Sequence, residues 1–250
     1  HSQSPAADEL RRNADVMLFV GSRVGNLDVP FDKYWGDPAK CRVIHVDVDP
    51  RHIGVSRPVA IGMVADARTA LEGLAVKLRG RELASQGRAD VAAQRAVFGA
   101  WAKAIGDSVV AWKGPGIHPA QAIGAVGAVF GPGAVYCADG GMTSLWAGLA
   151  LPSTQPNSYH GIMEFGMLGT GIPSSIGAKL GAPARDVVCV TGDGAAGFNA
   201  MEMQVAAREG IKVTYVVMAE AEWTMEIPNE MAHWGKTFGT GMGEVRWDKV

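Results

Sequence analysis

The stretch Val187-Val188-Cys189-Val190-Thr191-Gly192-Asp193-Gly194 joins a continuous apolar run to an acidic residue between two glycines. A short apolar run that ends at glycine is typical of a buried strand in a parallel sheet. A helical pattern follows at 201–208, so the Gly-Asp-Gly lies where a strand leads into a helix. Glycines let the backbone approach an anion, a helix start offers unpaired N–H groups, and Asp193 supplies an oxygen ligand for a divalent cation. The stretch therefore predicts a metal ion held against a phosphate.

A second apolar run, at 211–218, ends at Ala219-Glu220. The order strand, Gly-Asp-Gly, helix, strand resembles the cofactor motif of thiamine-diphosphate (ThDP) enzymes. The resemblance implies that Mg²⁺ is bound by Asp193, by Glu220 at the end of the second strand, and by the backbone carbonyl of Glu222. Most members of the family have asparagine where this chain has Glu220. Glu220 can bind Mg²⁺ through an oxygen, and the alternative is a solvated acidic residue of the loop.

The resemblance covers most of the chain. The runs at 13–23, 43–50 and 64–67 resemble the latter half of the central domain in the acetolactate (acetohydroxyacid) synthase-like branch, and those at 139–147 and 164–177 resemble the loops that open its diphosphate-binding domain. The resemblance gives Leu168 and Gly166 the catalytic positions: the leucine supports the cofactor beneath its two rings, and the Gly166 carbonyl accepts a hydrogen bond from the aminopyrimidine. The implied cofactor-binding residues are Gly140, Gly141, Thr143, Gly166, Met167, Leu168, Gly192, Asp193, Gly194 and Ala195.

Alternating helix and strand patterns predict an α/β protein with two doubly wound parallel-sheet domains. We expect the C-terminal half of a Rossmann-like central domain at 1–80, a linker at 81–115, which ends in the breaker Gly114-Pro115-Gly116, and an incomplete diphosphate-binding domain at 116–250. Strands are expected at 16–20, 42–48, 134–138, 186–191 and 213–218, and helices at 6–12, 67–79, 119–129, 172–180 and 198–208.

Composition narrows the class of protein. The 250 residues are 48% apolar and 19% charged, with a net charge of −2 and no run of Lys or Arg, which argues against a nucleic-acid partner. No apolar stretch of about 18 residues and no leader pattern are present, so we expect no membrane contact and a cytoplasmic location. Cys41, Cys137 and Cys189 are predicted to be buried small hydrophobes rather than disulfide or metal residues.

The resemblance implies an acetolactate synthase-like enzyme that uses ThDP and Mg²⁺ to cleave or form a C–C bond next to the carbonyl of a 2-oxo acid. The alternatives are a 2-hydroxyacyl-CoA lyase or oxalyl-CoA decarboxylase relative and a non-catalytic ThDP- or nucleotide-binding module. FAD or ADP in the central domain is left undecided.

The family's activating glutamate belongs to a domain outside this chain and reaches the site from a partner subunit. We therefore expect residues 1–250 alone to be inactive, and the protein to be a homodimer or homotetramer with sites at subunit interfaces. His160 is the one histidine with a candidate catalytic part. Trp223, Met225, Trp234 and Phe238 fit either a mobile segment that covers the substrate or an amphipathic core helix.

Overall fold

The computed structural model describes residues 4–25, 35–82, 86–161 and 166–250, which divide into the compact units His1–Val110 and Ala111–Val250. Two parts of the predictions lie outside the described residues: positions 1–3 of the first expected domain, and Glu164-Phe165 of the expected cofactor loop. Each unit contains a parallel sheet with helices, which confirms the predicted α/β class. None of the described helices is long and apolar enough to cross a membrane.

The first unit is built on three parallel strands in the order β1-β2-β3. Its elements are α1 (Pro5–Asn13), β1 (Val16–Val20), β2 (Arg42–Asp47), β3 (Ile61–Val64), α2 (Ala67–Leu78) and α3 (Gln86–Val110). The side chains of Ser4 and Asp66 cap α1 and α2 by accepting hydrogen bonds from the first helical turn. β3 is an edge strand of only four residues, all of them exposed, and it includes a glycine, so it is too short to show a strand pattern in the sequence.

The segment 81–115, expected to be a linker, contains the 25-residue helix α3, which packs against α1. Its alanine-rich sequence favours a helix by propensity. It carries no clear apolar stripe that would indicate packing against a core, which is why the segment was predicted to be a linker. The first compact unit accordingly extends to Val110 rather than to residue 80. The assignment of the two units to a central and a diphosphate-binding domain stays a prediction.

The second unit contains a four-stranded parallel sheet in the order β5-β4-β6-β7. Its elements are α4 (Pro119–Phe130), β4 (Val135–Asp139), α5 (Gly141–Ala150), β5 (Tyr159–Gly161), α6 (Gly171–Gly181), β6 (Val187–Gly192), α7 (Asp193–Asn199), α8 (Glu202–Arg208), β7 (Thr214–Met218), α9 (Ile227–Trp234) and a short 3₁₀ helix (Trp247–Lys249). The register pairs Asp139 with Thr191 and Gly192 with Met218, so β4, β6 and β7 end at the same edge of the sheet.

Helices cover both faces of this sheet, as a doubly wound domain requires. Side chains alternate between the faces along a strand, and Tyr136 and Val188 pack with Ile123 of α4 and Ala147 of α5. On the opposite face Cys189 packs with residues of α6 and α7. Each fully buried large apolar side chain contributes about 1.5–3 kcal/mol. This two-sided burial is why β4 and β6 have continuous apolar sequences.

Two local expectations were wrong. Residues 140–143 were expected in a loop, but α5 begins at Gly141, directly after Gly140 with a φ of 92°. The single helix expected at 198–208 is two helices, since α7 starts at Asp193 and ends at Asn199, and α8 starts at Glu202. The side chain of Asn199 donates to the carbonyl of Gly169 (2.8 Å), so the interruption coincides with a tertiary contact that the local sequence does not encode.

Candidate functional site at the strand ends

Asp193 lies where β6 ends and α7 begins, and it is only 7% exposed. Its Oδ1 accepts a hydrogen bond from the amide of Gly194 (2.8 Å). Its Oδ2 accepts from the amides of Glu220 (2.9 Å) and Ala221 (2.6 Å). The carboxylate therefore ties the end of β6 to the end of β7, which brings the two segments predicted to bind metal side by side.

The turn after β7 has a backbone adapted to this contact. Ala221 has a φ of 61°, a left-handed conformation that costs a non-glycine residue about 1–3 kcal/mol. In this conformation two successive amides point at the same oxygen of Asp193. Backbone strain of this kind is retained where the surrounding structure holds it in place.

The side chain of Glu220 is exposed and turns toward Thr224. The Thr224 hydroxyl donates to Oε2 of Glu220 and also lies 3.4 Å from the carbonyl oxygen of Glu222, to which it donates. Two of the three predicted metal-binding oxygens therefore converge on one hydroxyl group. The carbonyl of Glu222 is held in place because Glu222 forms an antiparallel bridge with Gly241.

These oxygens suit Mg²⁺, which prefers carboxylate and carbonyl ligands. Asp193 keeps one lone pair of Oδ1 after its hydrogen bond to Gly194, while the lone pairs of Oδ2 are both used. Among the described residues, no three side chains of His, Cys, Asp or Glu come close enough together to hold a metal ion. The predicted set needs only two side chains, because its third ligand is the backbone carbonyl of Glu222.

Glycines line the edge of the sheet between β4 and β6. A Cβ on Gly140 would lie 3.1 Å from the amide nitrogen of Gly192, and one on Gly192 would lie 3.2 Å from Oγ1 of Thr143. The two loops therefore approach each other more closely than side chains would allow. The first amides of α5, from Gly141 to Thr143, have no partner within the helix. Backbone N–H groups and one hydroxyl are thus gathered at this edge, and donors of these kinds suit an anion.

Two of the predicted donors are already engaged. The amide of Gly140 donates to Oδ1 of Asp139 (2.7 Å), and that of Gly194 donates to Asp193. Gly140 and Gly194 therefore contribute by leaving room for the backbone to approach a ligand. The remaining predicted donors are the amides of Gly141 and Ala195 and the hydroxyl of Thr143.

The segment after β7 covers these glycines. A Cβ on Gly194 would lie 2.6 Å from the ring of Trp223, and one on Gly141 would collide with Met225. Phe198 meets Trp223 edge to face, with ring centroids 6.3 Å apart. Of the four residues left undecided by sequence, Trp223 and Met225 thus pack on the site. Trp234 and Phe238 contact each other on the exposed helix α9 and the turn after it.

The loop before α6 carries Gly166, Met167 and Leu168. Gly166 has a φ of 60° and is exposed, while Leu168 is half-buried. Gly169 has a φ of 88°, and a Cβ there would lie 2.6 Å from Cβ of Phe198. The carbonyl of Gly169 accepts the hydrogen bond from Asn199, so this loop is fastened to α7 close to Asp193. Sequence reasoning did not find that role of Asn199.

The remaining predicted residues lie outside this constellation. His160 is exposed on the edge strand β5. The three cysteines are free and buried, which confirms their prediction as small hydrophobes. Burial raises the pKa of the Cys137 thiol to about 11, so it stays protonated at neutral pH.

Comparison with known proteins identifies two matching families. The thiamine pyrophosphate enzyme C-terminal TPP binding domain matches residues 139–249, and the thiamine pyrophosphate enzyme central domain matches residues 1–74.

Individual relatives agree with these matches. Sulfoacetaldehyde acetyltransferases from Castellaniella defragrans and Rhodobacter capsulatus are 28% and 32% identical over 95% of this chain and 43% of their own length. The acetolactate synthase large subunit of Haemophilus influenzae is 30% identical over 85% of this chain and 36% of its own length. The chain thus spans less than half the length of these relatives.

Proposed function

Because the chain belongs to the thiamine pyrophosphate enzymes, we propose that it binds ThDP together with Mg²⁺. The observation that carries this proposal is the joining of Asp193 to the turn after β7 by two amides, from Glu220 and Ala221. This contact gathers the predicted metal ligands beside the glycine-lined edge of the sheet.

Each part of the site has a role in this proposal. Asp193, the Glu220 carboxylate and the Glu222 carbonyl hold the metal, and the amides of Gly141 and Ala195 with the Thr143 hydroxyl bind the diphosphate. Since two carboxylates repel a diphosphate, binding depends on the cation between them. The Gly166 carbonyl and the Met167 and Leu168 side chains orient the organic rings. To bind the metal, the Glu220 carboxylate would give up its hydrogen bond from Thr224.

We propose that the protein containing this chain cleaves or forms a C–C bond next to the carbonyl of a 2-oxo acid. When bound, ThDP supplies the nucleophilic carbon that adds to this carbonyl and the electron sink for the bond that breaks. The residues of this chain orient the cofactor, and proximity between its reacting groups can lower the barrier by several kcal/mol. Because the activating glutamate belongs to another domain of such enzymes, each experiment below uses the intact protein.

Acetyl transfer is a second candidate, favoured by the similarity to sulfoacetaldehyde acetyltransferases over 95% of this chain. Incubation with pyruvate alone tests the synthase, and incubation with sulfoacetaldehyde and inorganic phosphate tests the transferase. Acetolactate supports the synthase, and acetyl phosphate together with released sulfite supports the transferase. Loss of sulfite leaves the acetyl group at the oxidation level of a carboxylic acid, so its transfer to phosphate needs no external oxidant. The 2-hydroxyacyl-CoA lyase alternative requires cleavage of an acyl-CoA substrate. Binding of FAD or ADP by the first unit stays a prediction.

Thermal denaturation distinguishes all these enzymes from a protein that does not bind the cofactor. A ligand that binds only the native state raises the unfolding midpoint, and the stabilisation grows with the logarithm of the ligand concentration relative to Kd. ThDP with Mg²⁺ should raise the midpoint, and ThDP with EDTA should not. An unchanged midpoint at saturating ThDP and Mg²⁺ would contradict the proposal, whereas stabilisation without turnover of any 2-oxo acid or acyl-CoA would support a non-catalytic module.

We also propose that the protein is at least a homodimer. The support is exposed apolar side chains on the loop before α6 and around the end of α7: Met167 is 50% exposed, Phe198 62% and Met201 78%. Exposed apolar side chains that cluster beside a site are a common feature of subunit interfaces. Sedimentation velocity at micromolar concentration should show a dimer or tetramer, and a stable monomer would refute this proposal.

A further inference from the structure

Asp139 is a buried carboxylate for which the proposed chemistry has no use. It ends β4, it is 3% exposed, and both of its oxygens accept hydrogen bonds. Oδ1 accepts from the amide of Gly140 (2.7 Å), and Oδ2 accepts from the amide of Gly171 (2.7 Å), which is 32 residues away along the chain. Hydrogen bonds to a carboxylate are about twice as strong as neutral ones.

The contact with Gly171 leaves no spare room. A Cβ on Gly171 would lie 2.6 Å from Cβ of Asp139, and Gly171 is the first residue of α6. The start of α6 is therefore fixed against the end of β4 both by a charged hydrogen bond and by close packing. This is the point at which the loop that carries Gly166, Met167 and Leu168 enters the helix.

Asp139 repeats the arrangement of Asp193 one strand away. In each case Oδ1 accepts from the amide of the next residue, and Oδ2 accepts from a distant segment: from one amide for Asp139 and from two for Asp193. The distant segment of Asp193 is the predicted metal turn after β7. The distant segment of Asp139 is the loop that orients the cofactor rings.

We propose that Asp139 is a positioning residue for the reaction, which fixes Leu168 and the Gly166 carbonyl relative to the diphosphate site through Gly171. Asn199 is the second fastening of the same loop, through the carbonyl of Gly169. The inference rests on the proposed function, because the loop has a catalytic task only if ThDP is bound. It assigns the placement of the loop to the side chains of Asp139 and Asn199, which act through Gly171 and Gly169.

Asp139→Asn is the variant that tests this role. The substitution keeps the shape of the side chain, but it replaces one acceptor oxygen with an NH₂ group that must face an N–H group. The amide of Gly171 or of Gly140 then loses its acceptor, and the loop before α6 loosens. Asp139→Ala removes both acceptors and serves only as a stability comparison, because an unpaired buried amide can prevent folding.

Three measurements on the intact protein follow the loop, the binding and the chemistry separately. In cofactor-free protein, Asp139→Asn should speed amide hydrogen exchange in the peptide that covers 166–175. The dissociation constant of ThDP with Mg²⁺ should change less than about threefold. The rate of proton–deuterium exchange at C2 of bound ThDP should fall by about tenfold to about a hundredfold, as expected for a misplaced reacting group. The value of kcat should fall by a similar factor, and KM for the 2-oxo acid should stay nearly unchanged.

Asn199→Ala should give the same pattern, because it removes the hydrogen bond to the Gly169 carbonyl. Asp186→Asn is the control, since Asp186 is exposed at the opposite end of β6. It should leave amide exchange, ThDP affinity and the two rates unchanged. Amide exchange at 166–175 and C2 exchange that both equal the wild type in Asp139→Asn would overturn the proposal. Equal losses of ThDP affinity and kcat would also overturn it, since they indicate a general collapse of the site. A wild type that binds no ThDP refutes the proposed function instead, and the amide exchange then still reports on the contact itself.

Discussion

The amide of Glu220 donates to Oδ2 of Asp193 over 2.9 Å, although 27 residues separate the two in the chain. The contact uses the backbone of Glu220 and leaves its side chain free to bond Thr224. The geometry of the turn is therefore independent of which side chain stands at position 220. Glutamate is therefore compatible with the turn at this position.

Glu220→Asn should tighten ThDP binding, because it keeps an oxygen ligand and removes one negative charge near the diphosphate. Glu222→Gln is the matched control, since its predicted ligand is the backbone carbonyl, which the substitution retains. ThDP affinity and turnover are measured on both variants. Unchanged affinity and turnover in Glu220→Asn would refute Glu220 as a metal ligand, and loss of turnover with intact cofactor binding would indicate that its carboxylate acts on the substrate.

Arg185→Met should lower the free energy of unfolding by about 1–3 kcal/mol. The Arg185 guanidinium donates to the carbonyls of Gly133 (2.8 Å), Ala134 (2.9 Å) and Asn157 (3.3 Å), so it fastens the segments that lead into β4 and β5. Arg208→Met is the control, because within the described part of the chain the Arg208 guanidinium bonds the neighbouring side chains of Gln204 and Glu209, on the exposed side of α8. Urea unfolding that gives both variants the same stability would contradict the assigned role.

Tyr159 makes the stability of the protein sensitive to alkaline pH. Burial raises the pKa of its phenol to about 12, above the value of about 10 expected in the unfolded chain. The neutral phenol therefore stabilises the fold fully below pH about 10, and this contribution is lost as the pH rises toward about 12. The free energy of unfolding of Tyr159→Phe should therefore fall less steeply with pH over that interval than that of the wild type. Urea midpoints that fall equally with pH in wild type and variant would contradict this.

β4 and β6 of the second sheet were predictable because both of their faces are buried, so that their sequences are continuously apolar. β3 was missed because it is an exposed edge strand. The helix α5 was missed because it begins with Gly141 after a positive φ at Gly140, a start that local sequence signals as a turn. Its helical conformation is stabilised by packing on β4 and β6, which is a tertiary effect.

In the candidate site, too, some features could be predicted from the sequence and others could not. Gly192-Asp193-Gly194 could be located from the sequence, because the residue types alone suit a metal and a phosphate. The amides around Asp193 could not, because the sheet register decides that the end of β7 lies beside the end of β6. The hydrogen bonds of Asp139 to Gly171 and of Asn199 to Gly169 depend likewise on loops that meet only in the folded chain.

Calorimetric titration of ThDP into the intact protein, with Mg²⁺ and with EDTA, tests the central claim most directly when wild type and Asp193→Ala are compared. Asp186→Ala, a carboxylate removed from the opposite end of β6, is the control for the loss of one negative charge. We predict binding that requires Mg²⁺ in the wild type and in Asp186→Ala, and no measurable binding in a folded Asp193→Ala variant. Unchanged ThDP affinity in Asp193→Ala would contradict the assignment of this site.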